Sequence, residues 1–264
     1  MKVLIKRHPL TINRAVIFAL VLREGLSRIG KRRMGAVWLL IEPLLHLLLF
    51  TVVISYLRGR QIADIEYPLF LLIGLAPFLY FRNTALNVME GVSANSGLFA
   101  YKQIQPLDVF ISRSLLEFIL ASIVYCLLLG GFGWYGWDIS ITRPVEWMFV
   151  IAVGAVFSLS LGIVLAVIVN AVPETKSIIR MSFLPLYLMS GVVIPPSHLP
   201  AQWMPLLLWN PFLHILELLR SAVFPYYQPV YGVSLDYVLV VTFISLFCGL
   251  GLYRARRLKL KSIR

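Results

Sequence analysis

Titratable side chains inside apolar segments are the first candidates for chemistry in this sequence of 264 residues. Glu42 and His46 stand one helical turn apart, and Arg82 lies in the next apolar segment. A charge near the centre of a bilayer costs about 2.5–3.5 kcal/mol on insertion scales, so these groups should face protein or water rather than lipid. They predict either a structural pair, Glu42 with His46 or with Arg82, or the wall of a transport path.

Metal binding and hydrolytic catalysis have little support in the sequence. The histidines lie in separate segments, with no second His or Cys at the spacing that zinc requires: His8, His46, His198 and His214. No Ser/His/Asp, paired-carboxylate or Cys/His set can be assembled from the short loops. The sequence therefore disfavours an enzyme and predicts no metal site.

Residues 25–32 read Gly-Leu-Ser-Arg-Ile-Gly-Lys-Arg, close to the phosphate-binding P-loop pattern. Arg32 stands where a Ser or Thr must ligate magnesium, and no strand precedes the segment. We therefore expect no cofactor in this chain; if ATP drives the protein, a partner must bind the ATP and magnesium. The basic residues here predict an anchor to anionic lipid, a receptor for an acidic lipid-linked substrate, or both: Arg28, Lys31, Arg32 and Arg33.

The composition is that of a membrane protein. Hydrophobic residues make up 59% and charged residues 14% of the chain, which carries a formal charge of +12. An ordinary soluble domain has about a quarter charged residues, so a soluble globule is excluded. In so apolar a chain, the basic excess predicts contact with the cytoplasmic lipid surface rather than with nucleic acid.

Hydropathy predicts an all-α membrane protein of six spans: residues 35–57, 68–89, 112–134, 145–172, 177–194 and 235–253. Most cations precede the first span or follow the last, which places both termini in the cytoplasm. We thus divide the chain into a basic segment with an interfacial helix (1–34), the membrane domain (35–253) and a basic tail (254–264).

Three features refine this map. Phe18, Leu22 and Leu26 share one face of the interfacial helix, whereas apolar residues on its other face indicate tilt or a covering of protein. Residues 195–234 contain two apolar runs too short to cross, which predicts a re-entrant helical hairpin in the outer leaflet. Small residues at every fourth position of the fourth span predict close packing of another helix: Gly154, Ser158, Gly162 and Ala166.

Several strings resemble a known family in combination. They include Leu22-Arg23-Glu24, Glu42-Pro43 with His46, Pro106-Leu107-Asp108, and Trp209-Asn210-Pro211 with His214 and Glu217. Nearly end to end, the chain is similar to permease subunits of type-2 ABC exporters of capsular polysaccharide, the KpsM family. The resemblance implies a homodimer in the bacterial inner membrane with two separate ATPase subunits. It also implies periplasmic co-polymerase-like and outer-membrane export partners, and a lipid-linked acidic polysaccharide as substrate.

Two groups of site residues follow. Residues 94–105, between the second and third spans, are expected to dock on the ATPase with Phe99 and Tyr101 as anchors. The full coupling set is Asn95, Leu98, Phe99, Tyr101 and Lys102. The conduit is expected between two subunits, along the first, second and fifth spans: Trp38, Glu42, His46, Phe78, Phe81, Arg82 and Tyr187. A permease for another lipid-linked polymer, such as O-antigen or teichoic acid, and an integral-membrane glycolipid transferase remain alternatives.

Overall fold

The computed structural model describes residues 9–30, 35–58, 61–62, 65–101 and 103–261. The regular secondary structure in this part of the chain is helical apart from a two-stranded antiparallel hairpin, in which Gln61 lies opposite Glu66. In chain order the elements are α1 (Pro9–Gly30), α2 (Gly35–Arg58), β1 (Gln61–Ile62), β2 (Ile65–Glu66), α3 (Tyr67–Met89), α4 (Gly91–Ala94), α5 (Pro106–Trp134), α6 (Pro144–Ala171), α7 (Thr175–Met189), α8 (Met204–Leu207), α9 (Pro211–Val223) and α10 (Leu235–Lys261).

Among the residues that the structure describes, four helices are long and apolar enough to cross a membrane: α3, α5, α6 and α10. The segment that contains α8 meets α9 at a bend of 107°, so this pair is either a broken span or a re-entrant loop. The fifth predicted span is shorter than expected, because α7 has 15 residues and ends at Met189. At about 1.5 Å per residue it covers about 22 Å of a hydrocarbon core about 30 Å thick.

Helix α3 forms the centre of the core. It is apolar on all sides, and most of its side chains are buried by α5, α6 and α9. The small-residue face of α6 receives α3: a Cβ atom added at Gly154 would lie 2.4 Å from Phe81, and one added at Gly162 would lie 2.7 Å from Val88. Glycine at these two positions therefore allows the close approach of α3 and α6 that the spacing predicts.

Helix α1 has two apolar faces with different surroundings. Phe18, Leu22 and Leu26 are exposed, whereas Leu20 is buried and Val16 packs beside it. The buried side joins a second hydrophobic cluster, which also contains Phe99. Protein thus covers Val16 and Leu20, two of the apolar residues that lie outside the exposed stripe of Phe18, Leu22 and Leu26.

Candidate functional site

The segment after α4 turns back on the body of the chain. Residues Ser96–Ala100 form a 3-10 helix that places the Phe99 ring inside the second cluster, where it is 8% exposed. Tyr101 follows on the outside at 60% exposure. The two expected docking aromatics therefore separate: Phe99 packs into the body of the chain, and Tyr101 lies on its surface. Leu98 is half-buried, and Lys102 lies outside the described residues.

Asn95 connects this segment to the interfacial helix. Its side chain is buried, accepts a hydrogen bond from Arg23 Nη2 at 2.9 Å and donates one to the carbonyl of Gly91 at 3.0 Å. Arg23 belongs to α1 and Asn95 follows α4, so the bond joins elements 72 residues apart. We call residues 94–105, the expected docking segment, the coupling segment. A displacement of this segment would act directly on α1.

Four charged residues tie α1 to α5. Arg28 forms an ion pair with Glu117 and lies 3.7 Å from Glu24, one turn earlier on its own helix. Arg113 Nη2 contacts the same Glu24 carboxylate at 2.8 Å. Two acids and two bases make the group neutral, as burial at a membrane boundary requires. We call these residues the α1–α5 charge cluster.

Asn87 attaches the charge cluster to α3. Its side-chain amide donates to Glu117 Oε1 at 2.8 Å, and its backbone carbonyl accepts from Arg113 Nη1 at 2.7 Å. A second ion-pair group lies just beyond, where Glu90 meets both Lys176 and Arg180 of α7. Charge-assisted contacts thus link α1, the segment after α4, and the helices α3, α5 and α7.

The basic residues expected to bind an anionic substrate terminus have different surroundings. The structure engages Arg28 with Glu117 and Glu24, so its charge is largely compensated within the chain. Lys31, Arg32 and Arg33 lie outside the described residues. Anion binding at this end of α1 therefore stays a prediction, with Arg28 in a structural position.

The expected conduit residues are brought together only in part. His46 and Phe50 of α2 stack at 6.3 Å between ring centroids, Phe50 lies 6.3 Å from Tyr187 of α7, and Tyr187 lies 5.2 Å from Phe78. This aromatic row joins three helices behind the exposed faces of α2 and α7. Phe78 belongs to the core, with no exposed surface.

The remaining conduit candidates lie in three settings. Phe81 is buried against the small-residue face of α6, and Arg82 is half-buried in the second half of α3. The backbone of Trp38 and Glu42 belongs to α2, but their side chains lie outside what the structure describes. Phe78 and Phe81 have no exposed surface in this conformation, because the packing around α3 buries both rings.

The segment between α7 and α10 is held by polar side chains at its tightest turn. Asn210 caps α9 by accepting from the backbone N–H of Phe212 at 3.1 Å, while its amide donates to Ser190 Oγ at 2.9 Å. His214 contacts the carbonyl of Leu208 through Nε2 at 2.8 Å, and its Nδ1 accepts from the N–H of Ser234 at 3.0 Å. The Trp-Asn-Pro string with His214 therefore fixes both ends of the hairpin.

A buried ion pair fastens α9 to α3. Glu217 and Arg220 are both 0% exposed and lie 3.2 Å apart, and the guanidinium also sits 3.7 Å from the centre of the Phe70 ring. Arg220 donates to the carbonyl of Val192, and Tyr227 donates to Glu217. These contacts give hydrogen-bond partners to most of the polar atoms of the ion pair, which would otherwise be costly to bury.

Sequence reasoning missed this pair and most of the α1–α5 charge cluster. The predicted spans place Arg220 on the outer face, between the fifth and sixth spans, although its spacing of three residues from Glu217 in an apolar run could have indicated a buried pair. The four-residue spacing of Glu24 and Arg28 was a similar local signal. Nothing local predicts Glu117, because its partners lie on other helices.

Comparison with known proteins agrees with this architecture. The family model for the ABC-2 type transporter matches residues 15–224. The polysialic acid transport protein KpsM of Escherichia coli is 36% identical over 95% of this chain and 96% of its own length. The capsule polysaccharide export inner-membrane proteins CtrC of Neisseria meningitidis and BexB of Haemophilus influenzae are 28% and 27% identical, over 92% and 83% of this chain and 92% and 82% of their own lengths. The chain therefore belongs to the ABC-2 type transporter family.

Proposed function

We propose that this chain is the membrane permease subunit of an ATP-driven exporter that moves lipid-linked acidic capsular polysaccharide across the bacterial inner membrane. The observation that carries the proposal is the similarity to capsule export proteins through 95% of the chain. It covers the coupling segment, the charge cluster and the outer hairpin alike. ATP and magnesium are bound by a separate ATPase, to which this chain supplies the transport path.

The proposed topology has six crossings with both termini in the cytoplasm. Helix α2, with 24 residues, supplies the first crossing, and α7 with the residues up to Ile194 supplies the fifth. The pair α8 and α9 forms a re-entrant hairpin from the outer side, supported by the 107° bend. Helix α1 lies along the cytoplasmic interface with Phe18, Leu22 and Leu26 in the lipid, which accounts for their exposure.

Coupling to the ATPase runs through residues 94–105. Tyr101 contacts the ATPase, while Phe99 transmits the displacement because it is embedded in the cluster that contains Leu20 of α1. The bond between Arg23 and Asn95 acts in parallel. The α1–α5 charge cluster then transmits the displacement to α5. One movement of the ATPase at the cytoplasmic surface therefore moves several helices together.

The conduit lies between two copies of the chain. Residues on one side of α2 and α7 are large, apolar and exposed in the single chain, as expected of surfaces that meet a second copy: Leu45, Leu48, Leu49, Val52, Met181, Leu184 and Leu188. The proposed lining of the conduit contains Trp38, Glu42, His46, Arg82 and Tyr187. Phe78 and Phe81 pack behind this lining. Lys31, Arg32 and Arg33 attract the anionic substrate terminus.

The proposal is tested by purifying the chain together with its ATPase and following polymer export. We expect an ATPase to co-purify, its hydrolysis to depend on this chain, and a strain that lacks the permease to recover surface capsule when the chain is supplied. The Tyr101→Ala variant should keep its membrane fold and lose most of the export. Turnover of a lipid-linked sugar by the chain alone, without nucleotide, would instead indicate a transferase.

A further inference from the structure

A cavity of about 440 Å³ opens where the loop between α5 and α6 meets the start of α3 and the end of α9. Its wall contains the aromatic rings of Trp137, Tyr226 and Tyr227, together with the carboxylates of Glu66 and Asp138. With the proposed topology the cavity faces the periplasm. None of its lining residues belongs to the α1–α5 charge cluster or to the aromatic row between α2 and α7.

The loop that carries Asp138 has a defined shape. Asp138 accepts a hydrogen bond from the backbone N–H of Ser140 at 2.9 Å, which holds the pKa of its carboxyl below the usual value for Asp. The next residues attach to α9, since the N–H of Arg143 donates to the carbonyl of Ala222 at 2.8 Å and Thr142 Oγ1 donates to the carbonyl of Val223 at the same distance. The carboxylate is therefore presented from a fixed loop.

Both carboxylates lack a cationic partner. Neither Glu66 nor Asp138 forms an ion pair with any residue that the structure describes, whereas Arg143 nearby is paired with Glu146 at 2.9 Å. Glu66 is exposed, and its side chain makes no capping bond to α3. Among the residues that the structure describes, the cavity thus presents two carboxylates without a cationic partner beside aromatic residues.

This combination of groups favours a ligand of positive charge. An ammonium or guanidinium gains from two carboxylates and from the faces of aromatic rings, a pairing that proteins use to hold basic side chains. An acidic sugar chain would be repelled by the same carboxylates. A neutral sugar could stack on the rings, but it would gain nothing from the net negative charge.

We propose that this outer cavity is a docking site for a lysine or arginine side chain of a periplasmic partner protein. The outward orientation rests on the proposed function, whereas binding of a basic group can be measured on the purified chain without transport. Loss of binding would therefore leave the export proposal intact, and loss of export would leave the cavity testable.

The experiment measures binding of tetralysine, by titration calorimetry, to the chain in nanodiscs of uncharged phosphatidylcholine. Tetraglutamate and maltotetraose serve as probes of opposite and zero charge. We expect binding of tetralysine alone, weakened about tenfold in the Glu66→Gln/Asp138→Asn double variant and weakened further by salt. Asn can retain the turn at position 138, so this variant should keep its thermal stability.

The matched control is Asp236→Asn, which removes an exposed carboxylate in the first turn of α10, outside the cavity wall. It should bind tetralysine as the parent does. The Trp137→Leu variant should lose affinity a few-fold, because the ring face is removed and the charges are kept. Equal binding of tetralysine to the parent and the double variant, no binding to either, or equally tight binding of maltotetraose would overturn the proposal.

Discussion

Replacing Gly74 with alanine tests the buried attachment of α9 to α3. A Cβ atom at this position would lie 2.3 Å from Arg220 Nη2 and 3.2 Å from Arg220 Cζ. The guanidinium has little freedom to retreat, since it is held by Glu217, by the carbonyl of Val192 and by the Phe70 ring. Relief of the contact requires a shift of about an ångström and the loss of at least one of these interactions.

The magnitude follows from the two costs. Overpacking of a tight core costs about 1–3 kcal/mol, and a hydrogen bond to a charged group contributes about 1.5–3 kcal/mol. We therefore expect Gly74→Ala to destabilise the chain by about 3 kcal/mol. At roughly 2–4 °C per kcal/mol for a chain of this size, the melting temperature in detergent should fall by about 6–12 °C.

The assay includes a matched glycine and a thermodynamic cycle. Gly130→Ala in α5 is the control, because a Cβ atom there meets nothing within 4 Å. The same Gly74→Ala change in a Glu217→Ala/Arg220→Ala background should cost little, since the obstructing atom is gone. An equal loss of stability in both backgrounds, or no loss in either, would refute the assignment of the contact.

Three further outcomes are expected. Phe99→Ala should lower the melting temperature, because truncating a buried Phe costs about 3–5 kcal/mol, whereas Tyr101→Ala should leave stability unchanged and reduce ATP-dependent export. Glu117→Ala should destabilise the chain by about 2 kcal/mol and weaken the hold of α5 on α1, because Arg28 is partly exposed and the full cost of a buried unpaired charge does not apply. The exposed Glu174→Ala is the control, and equal melting temperatures for these two acidic variants would contradict the α1–α5 charge cluster.

The long helices could be predicted because their signal is local. A continuous apolar run must form a helix in a bilayer to satisfy its backbone, so α3, α6 and the start of α10 fall within a few residues of their predicted bounds. The close packing of another helix on the small-residue face of α6 could likewise be predicted from the four-residue spacing. The end of α7 was not, because five residues from Ser190 to Ile194 are apolar enough to continue a span yet leave the helix.

Contacts between distant segments could not be predicted from local spacing. Phe99 was expected to anchor a partner because it lies between the second and third predicted spans, but the fold buries it against α1 and α5. Arg220 was expected on the outer face because it lies between the fifth and sixth predicted spans. The partners of the Glu217–Arg220 pair come from α3, from the residues after α7 and from the loop after α9, and no short window of sequence contains them all.

The central claim is that this chain converts ATP hydrolysis by a partner into export of a lipid-linked acidic polymer. Its most direct test uses inverted inner-membrane vesicles that contain the chain, its ATPase and radiolabelled lipid-linked capsule polymer. We predict ATP-dependent movement of the polymer into the vesicle lumen, where added depolymerase cannot reach it, and loss of that movement in Tyr101→Ala at unchanged protein levels. Polymer that stays accessible to the enzyme with ATP present, or uptake that proceeds equally without this chain, would contradict the account.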